Sequence, residues 1–352
     1  MLQAVITLIF SHFKAFTASC GAAYALKHHV LSRTQPALAE KVEAATSPAS
    51  LPALSTTGPV TAPKKQLVWL ITGTSTGFGR RLVKSALLRG DLVIATVRSL
   101  ESIDSSDIDI PATLRSNLHR IELDVTEGEA SLRAKVDHAA TVFGRIDVLV
   151  NNAGQGLVGL SEEGGSTLFR RTFDVNVFGI IDMTTVALPH LRRSKGAVVN
   201  IGSRSAWKTD LVGVGPYSAS KAAVHALTET LAVELAPFGV RVMLVAPGAF
   251  RTEGIHAIPF YEERPLVEYD ETREIWARRF SSIGGTQKGD PAKAMEVLVD
   301  IVRQEGVAHD KSWPSHLVLG DDAINDVRAK TSFVLGQIDA WEGVGKAVAF
   351  GG

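Results

Sequence analysis

Cysteine is almost absent: Cys20 is the only one in 352 residues. That excludes an internal disulfide and any thiolate metal cluster, and it suggests a protein that does not depend on oxidation. Net charge is absent too, with 37 basic residues against 37 acidic ones. No basic run of five or more occurs, so no general field draws the chain to nucleic acid or to an acidic surface. Ten histidines are scattered without HExxH or paired metal spacing, and they read as surface or core residues; no metal is expected. Long apolar runs are missing as well. The stretch Ala4 to Phe10 is followed by Ser11, His12 and Lys14, too short and interrupted to span a membrane.

Residues 1 to 33 carry Lys14, Lys27 and Arg33, with no acid before Glu40. Three readings compete: an organelle transit peptide, an interfacial or signal-anchor helix, and an untargeted extension. The single arginine argues against the first and the lack of a small-residue cleavage signal against secretion. The untargeted extension ranks first. The expected location is cytoplasmic, with mitochondrial or membrane-associated placement as the alternatives. From Thr34 to Lys65 the composition turns to Pro, Ala, Ser and Thr, with Pro36, Pro48, Pro52, Pro59 and Pro63 breaking any period. The chain thus divides into an extension and flexible linker over 1–63 and one folded domain over 64–352.

What is present is a soluble globular composition, 45% apolar and 21% charged. Within the domain, short apolar runs recur at 67–72, 92–97, 119–123, 146–150, 197–201, 240–245 and 316–319. Helical periodicity lies between most of them, around 128–142, 166–193 and 217–236. Near-continuous apolar strands alternating with helices predict an α/β fold, a doubly wound parallel sheet of about seven strands covered on both faces. Such sheets bind ligands at the carboxyl ends of their strands.

The residues that carry chemistry cluster at those ends. The first strand runs into Thr72, Gly73, Thr74, Ser75, Thr76, Gly77, Phe78 and Gly79, where glycine permits positive φ and lets backbone amides approach a pyrophosphate at a helix start. The second ends Val97-Arg98. An NAD site has an acid about here, roughly 20 residues past the glycines, for the ribose 2′-hydroxyl. A guanidinium would instead pair with a 2′-phosphate, so NADP(H) is favoured over NAD(H), a solvated strand-end arginine being the competing reading. Asp124-Val125 follows the third strand and could place a carboxylate by an adenine amino group or cap the next helix. The fourth ends Asn151-Asn152-Ala153-Gly154, the fifth leads to Ser203, and Tyr217 and Lys221 lie four apart on one helix face. A free phenol has a pKa of about 10, and an ammonium one turn away would lower it. Packing of Tyr217 on the sheet, with Lys221 solvated, is the plainer reading of those two residues alone.

The motifs together, Thr72-Gly73-x-x-x-Gly77-x-Gly79, Asp124, Asn151-Asn152-Ala153-Gly154, Asn176, Ser203, Tyr217-x-x-x-Lys221 and Pro247-Gly248 with Thr252, resemble the short-chain dehydrogenase/reductase family over roughly residues 66 to 250. The resemblance implies a Rossmann-type sheet, a nicotinamide cofactor and a catalytic set of Asn176, Ser203, Tyr217 and Lys221. In the implied reduction, Ser203 and Tyr217 bind a substrate carbonyl and Tyr217 gives the proton. Lys221 lowers the Tyr217 pKa and holds the nicotinamide ribose, and Asn176 supports a relay water or merely kinks its helix. Pro247, Gly248 and Thr252 close over the carboxamide and phosphates.

Residues 250 to 285 form a long segment with Phe260, Tyr261, Trp276 and Phe280, expected as a substrate lid. With Leu157, Val212 and Val214 it suggests an apolar alcohol or ketone as substrate. Trp341 and the tail Val348-Ala349-Phe350 would pack on a neighbouring subunit, since family members are commonly dimers or tetramers, or else on their own domain. A binding protein that senses NADP(H) on the same fold is the alternative function; the intact Ser, Tyr and Lys speak against it.

Overall fold

The computed structural model describes residues 65–101, 108–253 and 259–350; the N-terminal extension and most of the linker lie outside them. Seven strands, β1 (Val68–Ile71), β2 (Leu92–Val97), β3 (Leu118–Glu122), β4 (Val148–Asn151), β5 (Ala197–Ile201), β6 (Arg241–Pro247) and β7 (His316–Leu319), form one sheet in the order β3-β2-β1-β4-β5-β6-β7. Every neighbouring pair is parallel. All four side chains of β1, Val-Trp-Leu-Ile, are buried, as a strand covered on both faces requires.

The helices are α1 (Gly77–Leu88), α2 (Glu129–Phe143), α3 (Ser161–Phe173), α4 (Gly179–Ser194), α5 (Gly215–Leu235), α6 (Asp270–Ile283), α7 (Pro291–Arg303) and α8 (Asp321–Lys346). One core layer joins alternate sheet residues such as Trp69, Ile71 and Val199 to Leu82 of α1 and Leu298 of α7. The opposite layer joins Val68, Leu70 and Val198 to Leu132 of α2, Met183 of α4 and Leu235 of α5. Burying each such side chain contributes about 1.5–3 kcal/mol. Local signals set the ends: α2 stops on Gly144 in the left-handed region, and α7 starts where Asp290 accepts from the amides of Ala292 and Lys293 ahead of Pro291.

Two buried carboxylates pin the amino-terminal edge of the sheet. Asp91 accepts from Leu67 N at 3.0 Å and Trp69 Nε1 at 2.9 Å and pairs with Arg303. Asp147 accepts from Val68 N at 2.9 Å and pairs with Arg145. The carboxyl edge is left for the loops.

The helix expected over 166–193 is three pieces: α3, a π-helical turn Asp174–Phe178, and α4. The π-turn sits where Asn176 leaves the regular ladder, and its place in the middle of one apolar period hid the break. The segment expected as a 250–285 lid contains a helix, α6, whose charged surface gave little periodic signal. The tail does not pack on its own domain: Ser332 through Phe350 are all exposed.

Candidate active site

β5 delivers Ser203 through Gly202, whose amide donates to Val245 O at 2.7 Å. A Cβ at Gly202 would lie 2.5 Å from His225 Nε2 and 2.8 Å from Leu244 Cδ1, so any side chain there would force both neighbours to move. Ser203 is buried; its Oγ accepts from Ser205 N at 3.1 Å and lies close enough to the Tyr217 side chain to influence its ionisation. Tyr217 opens α5 and is half-buried. Burial holds its pKa above the ordinary phenol value, and the Ser203 hydroxyl opposes that rise.

Lys221, one turn on, is buried, and burial depresses its pKa to about 8. Its Nζ donates to Ile201 O at 2.8 Å and lies 5.8 Å from the centre of the Tyr217 ring. The expected lowering of the Tyr217 pKa by Lys221 is therefore not what this arrangement produces: desolvation dominates the phenol, and the ammonium is engaged by a backbone carbonyl. Asn176 is fully buried in its π-turn. It accepts from Gln155 N at 2.9 Å and donates to Gln155 O at 2.9 Å and Ser220 Oγ at 3.0 Å. Ser220 Oγ in turn donates to Tyr217 O at 2.7 Å, which couples the asparagine to the backbone of the tyrosine. A Cβ on Gly154 would come within 3.3 Å of Asn176 Oδ1 and 3.7 Å of Lys221 Nζ, so these three residues share one corner.

The glycine loop lies beside that corner. Gly73 has φ +65°, and a Cβ there would sit 2.8 Å from Ala153 Cα; a Cβ on Gly79 would sit 2.3 Å from Gly73 O. The floor is tied across the β1–β4 switch point. Thr72 Oγ1 accepts from Asn152 N and Ala153 N at 2.9 Å, and Asn152 Nδ2 donates to Thr72 O and Gly73 O at 2.8 and 2.9 Å. Thr74 is buried on Thr96 O at 3.0 Å, and Ser75 is exposed. Phe78 packs edge-on against Phe250, ring centres 5.3 Å apart. Pro247 ends β6, Gly248 lies so close to Asp322 that no side chain fits, and Thr252 reaches the first turn of α1 at Gly77.

Arg98 is exposed at the end of β2. Asp124 accepts from Thr126 N at 2.9 Å and Oγ1 at 2.7 Å, while α2 begins at Glu129 with Gly128 in the N-cap position, so Asp124 braces its own loop and does not cap the helix. The Val125 side chain packs in the core against Gly179, leaving its backbone alone to face a ligand.

Three residues escaped the sequence. Glu253 accepts from Gly77 N at 3.0 Å and pairs with Arg80 and Arg81 at 2.9 Å; the Arg81 guanidinium holds it far below the usual carboxylate range. A carboxylate thus rests at the start of α1, where a dinucleotide pyrophosphate is expected, and the adjacent Arg80-Arg81 was the available signal. His225 and Glu163 are buried polar groups to which the sequence reading assigned no part. The donors fit a dinucleotide: an amide at a helix start that already holds a carboxylate, glycines at 73 and 79 where a Cβ would meet the loop backbone, and a buried lysine beside Gly154. Among the described residues no group of three or more His, Cys, Asp or Glu could hold a metal ion.

The family described as short chain dehydrogenase matches residues 67–259. An uncharacterised oxidoreductase of Schizosaccharomyces pombe is 32% identical over 263 residues, 74% of this chain and 84% of its own length. One from Bacillus subtilis is 30% identical over 243 residues, 68% and 85% respectively. Human 11-beta-hydroxysteroid dehydrogenase type 2 is 36% identical over 197 residues, 55% of this chain and 48% of that one. The crystal structure of a short-chain dehydrogenase from Streptomyces avermitilis superposes with a TM-score of 0.69 at 35% identity, covering 81% of this chain and all of that one. The chain belongs to the short-chain dehydrogenase family, a family of nicotinamide-dependent oxidoreductases.

Proposed function

We propose that the chain interconverts an alcohol and a carbonyl on an apolar small molecule, using NADP(H) in preference to NAD(H). The observation that carries this reading is the convergence of Ser203 and Tyr217, close enough to interact, with the buried Lys221 and Asn176 at one strand edge. A phenol held above its ordinary pKa carries its proton at neutral pH, so the proton is there to give in reduction, and a bound cofactor that lowers that pKa would make it the better acid. Ser203 Oγ and Tyr217 Oη would bind the substrate oxygen, and Tyr217 would pass its proton to the oxygen as it gains negative charge. In oxidation Tyr217 would first have to give up its own proton, and the phenolate would then accept the proton of the alcohol. Lys221 would hold the nicotinamide ribose, and Arg98 the 2′-phosphate. When bound, the dinucleotide supplies the hydride in reduction and accepts it in oxidation.

Apolar side chains at Leu157, Val214 and Phe260 support an apolar substrate. So do relatives named for a hydroxysteroid and for 3-ketodihydrosphingosine, the latter from Bacteroides thetaiotaomicron and 33% identical. Tyr217→Phe tests the chemistry. Turnover should fall by about three orders of magnitude, within the range of lost acid catalysis, with cofactor affinity within a few-fold of wild type. Retained turnover would remove Tyr217 from the catalytic role, and a wild type that binds cofactor but turns over no ketone would favour a sensor.

A further inference from the structure

α8 is held by its first turns alone. Ala323 is buried, Asp322 accepts from Ala249 N at 2.7 Å, and Asp326 pairs with Arg204 at 2.6 Å. Beyond Thr331 every described residue is exposed to the end, so about 25 Å of helix extends past its anchors. That length carries a continuous apolar stripe. Thr331, Val334, Ile338, Trp341 and Gly345 follow one another at intervals of three and four, with Ile338 55% and Trp341 63% exposed, and Val348 comes just past the helix end. Val334, Ile338, Trp341 and Gly345 line one shallow surface groove. A helix of this length gains its stability mainly from covering such a face, and an apolar strip of that size on a soluble protein marks an interaction site.

We infer that the stripe pairs with the same stripe of a second copy of this chain, antiparallel, about a two-fold axis at the level of Gly336. Charge chooses the occupant and the direction. In that register Val334 packs on the partner's Ile338 and Thr331 on the partner's Trp341. Along one flank Leu335 meets the partner's Leu335, and Arg328 meets the partner's Glu342, a contact the two-fold makes twice. A parallel pair would set Lys330 against the partner's Leu335 and Gln337 against the partner's Glu342, with no opposite charges matched. Glu342 already pairs with Lys346 at 2.6 Å within the helix, and its second oxygen suffices for Arg328. Residues 326–350 carry three basic and three acidic side chains, without the excess of Lys and Arg that a helix lying on an anionic lipid surface uses. Covering both stripes would bury on the order of 1,000 Å², the lower bound for a specific interface.

The test reads position rather than mass, because another face could also join two copies. The full chain is used with Cys20→Ser, so that an introduced thiol is unique. Gln337→Cys, which faces itself across the axis, is predicted to give a covalent dimer with a short bismaleimide; Ala340→Cys, on the far side of the helix, is not. Ile338→Glu in the Gln337→Cys chain should abolish the dimer. Arg328→Glu should reduce its yield several-fold, and Arg328→Glu with Glu342→Arg should restore it. Equal crosslinking at 337 and 340, no crosslinking at 337, or indifference to Ile338→Glu would overturn the proposal. So would flotation with phosphatidylserine-containing vesicles that Ile338→Glu removes, since the stripe would then belong to a lipid surface.

Discussion

His225 shows how a single side chain can serve the site without touching the substrate. It lies two turns beyond Tyr217 and one beyond Lys221 on the same face of α5, stacks on Trp207 with ring centres 4.4 Å apart, and presents Nε2 to Ser203 N at 3.4 Å. Only a neutral ring can accept there. Burial, with the nearby charges of Lys221 and His316, depresses its pKa to about 4. Between that value and its ordinary 6.5, the unfolded chain binds the proton and the folded chain does not, so stability rises with pH across this window and falls on acidification. We expect His225 to cost the wild type about 2 kcal/mol between pH 7 and pH 5. Urea unfolding at the two pH values should show that loss, and His225→Asn should remove most of it. An equal loss in the variant would place the acid sensitivity elsewhere. The four-residue spacing of Tyr217 and Lys221 could be read in the sequence because it places both on one helix face, and the other motifs gave it meaning. The part played by His225 was not, because a histidine on a helix face has many uses and its partner, a backbone amide, leaves no mark in sequence.

At the scale of elements, the segment after β6 is latched to α3 by one buried acid. Glu163 accepts from Leu266 N at 2.9 Å and pairs with Arg273 of α6, whose guanidinium lowers the pKa of Glu163 despite its burial. Tyr261 N donates to Val158 O at 2.8 Å, and a side chain on Gly213 would strike Phe260. Glu163→Gln keeps the shape and removes the charge, leaving Arg273 with exposed Asp270 as its charged partner and Leu266 O as a further acceptor. A local loss of about 2 kcal/mol is expected, below the ~3–5 typical of a broken buried pair. Hydrogen exchange should quicken across 259–283 while β1 and β4 stay protected; unchanged exchange would mean that Glu163 does not hold the segment. The strands were legible because a sheet buried on both faces forces runs of Val, Ile and Leu; β2, β5 and β7 fall on the residues expected. α6 was not, because a helix with no buried residue shows no apolar period, and its tie to α3 joins residues about 100 positions apart.

At the scale of the whole molecule, the sheet order brings the ends of β1, β2, β4 and β5 to one edge, while Asp91 and Asp147 brace the opposite edge. The division of labour is physical: buried ion pairs and packed strands hold one side rigid, and glycines, amides and short polar side chains shape the other for a ligand. Topology of this kind follows from alternating strands and helices, so the fold and the strand-end residues could be read early. The anion contact of Glu253 and the course of α8 depend on how distant segments meet, and pattern does not reach that far.

The most direct test is a fluorescence titration of the full chain with NADPH and with NADH, repeated on Arg98→Asp, with turnover of apolar ketones followed using the better cofactor. We predict tighter NADPH binding in the wild type, a loss of affinity in the variant of tenfold or more, about 1.4 kcal/mol, for NADPH and little change for NADH, and ketone-dependent oxidation of NADPH. Equal losses for both cofactors would contradict the role of Arg98, and failure to bind either would contradict the assignment of function.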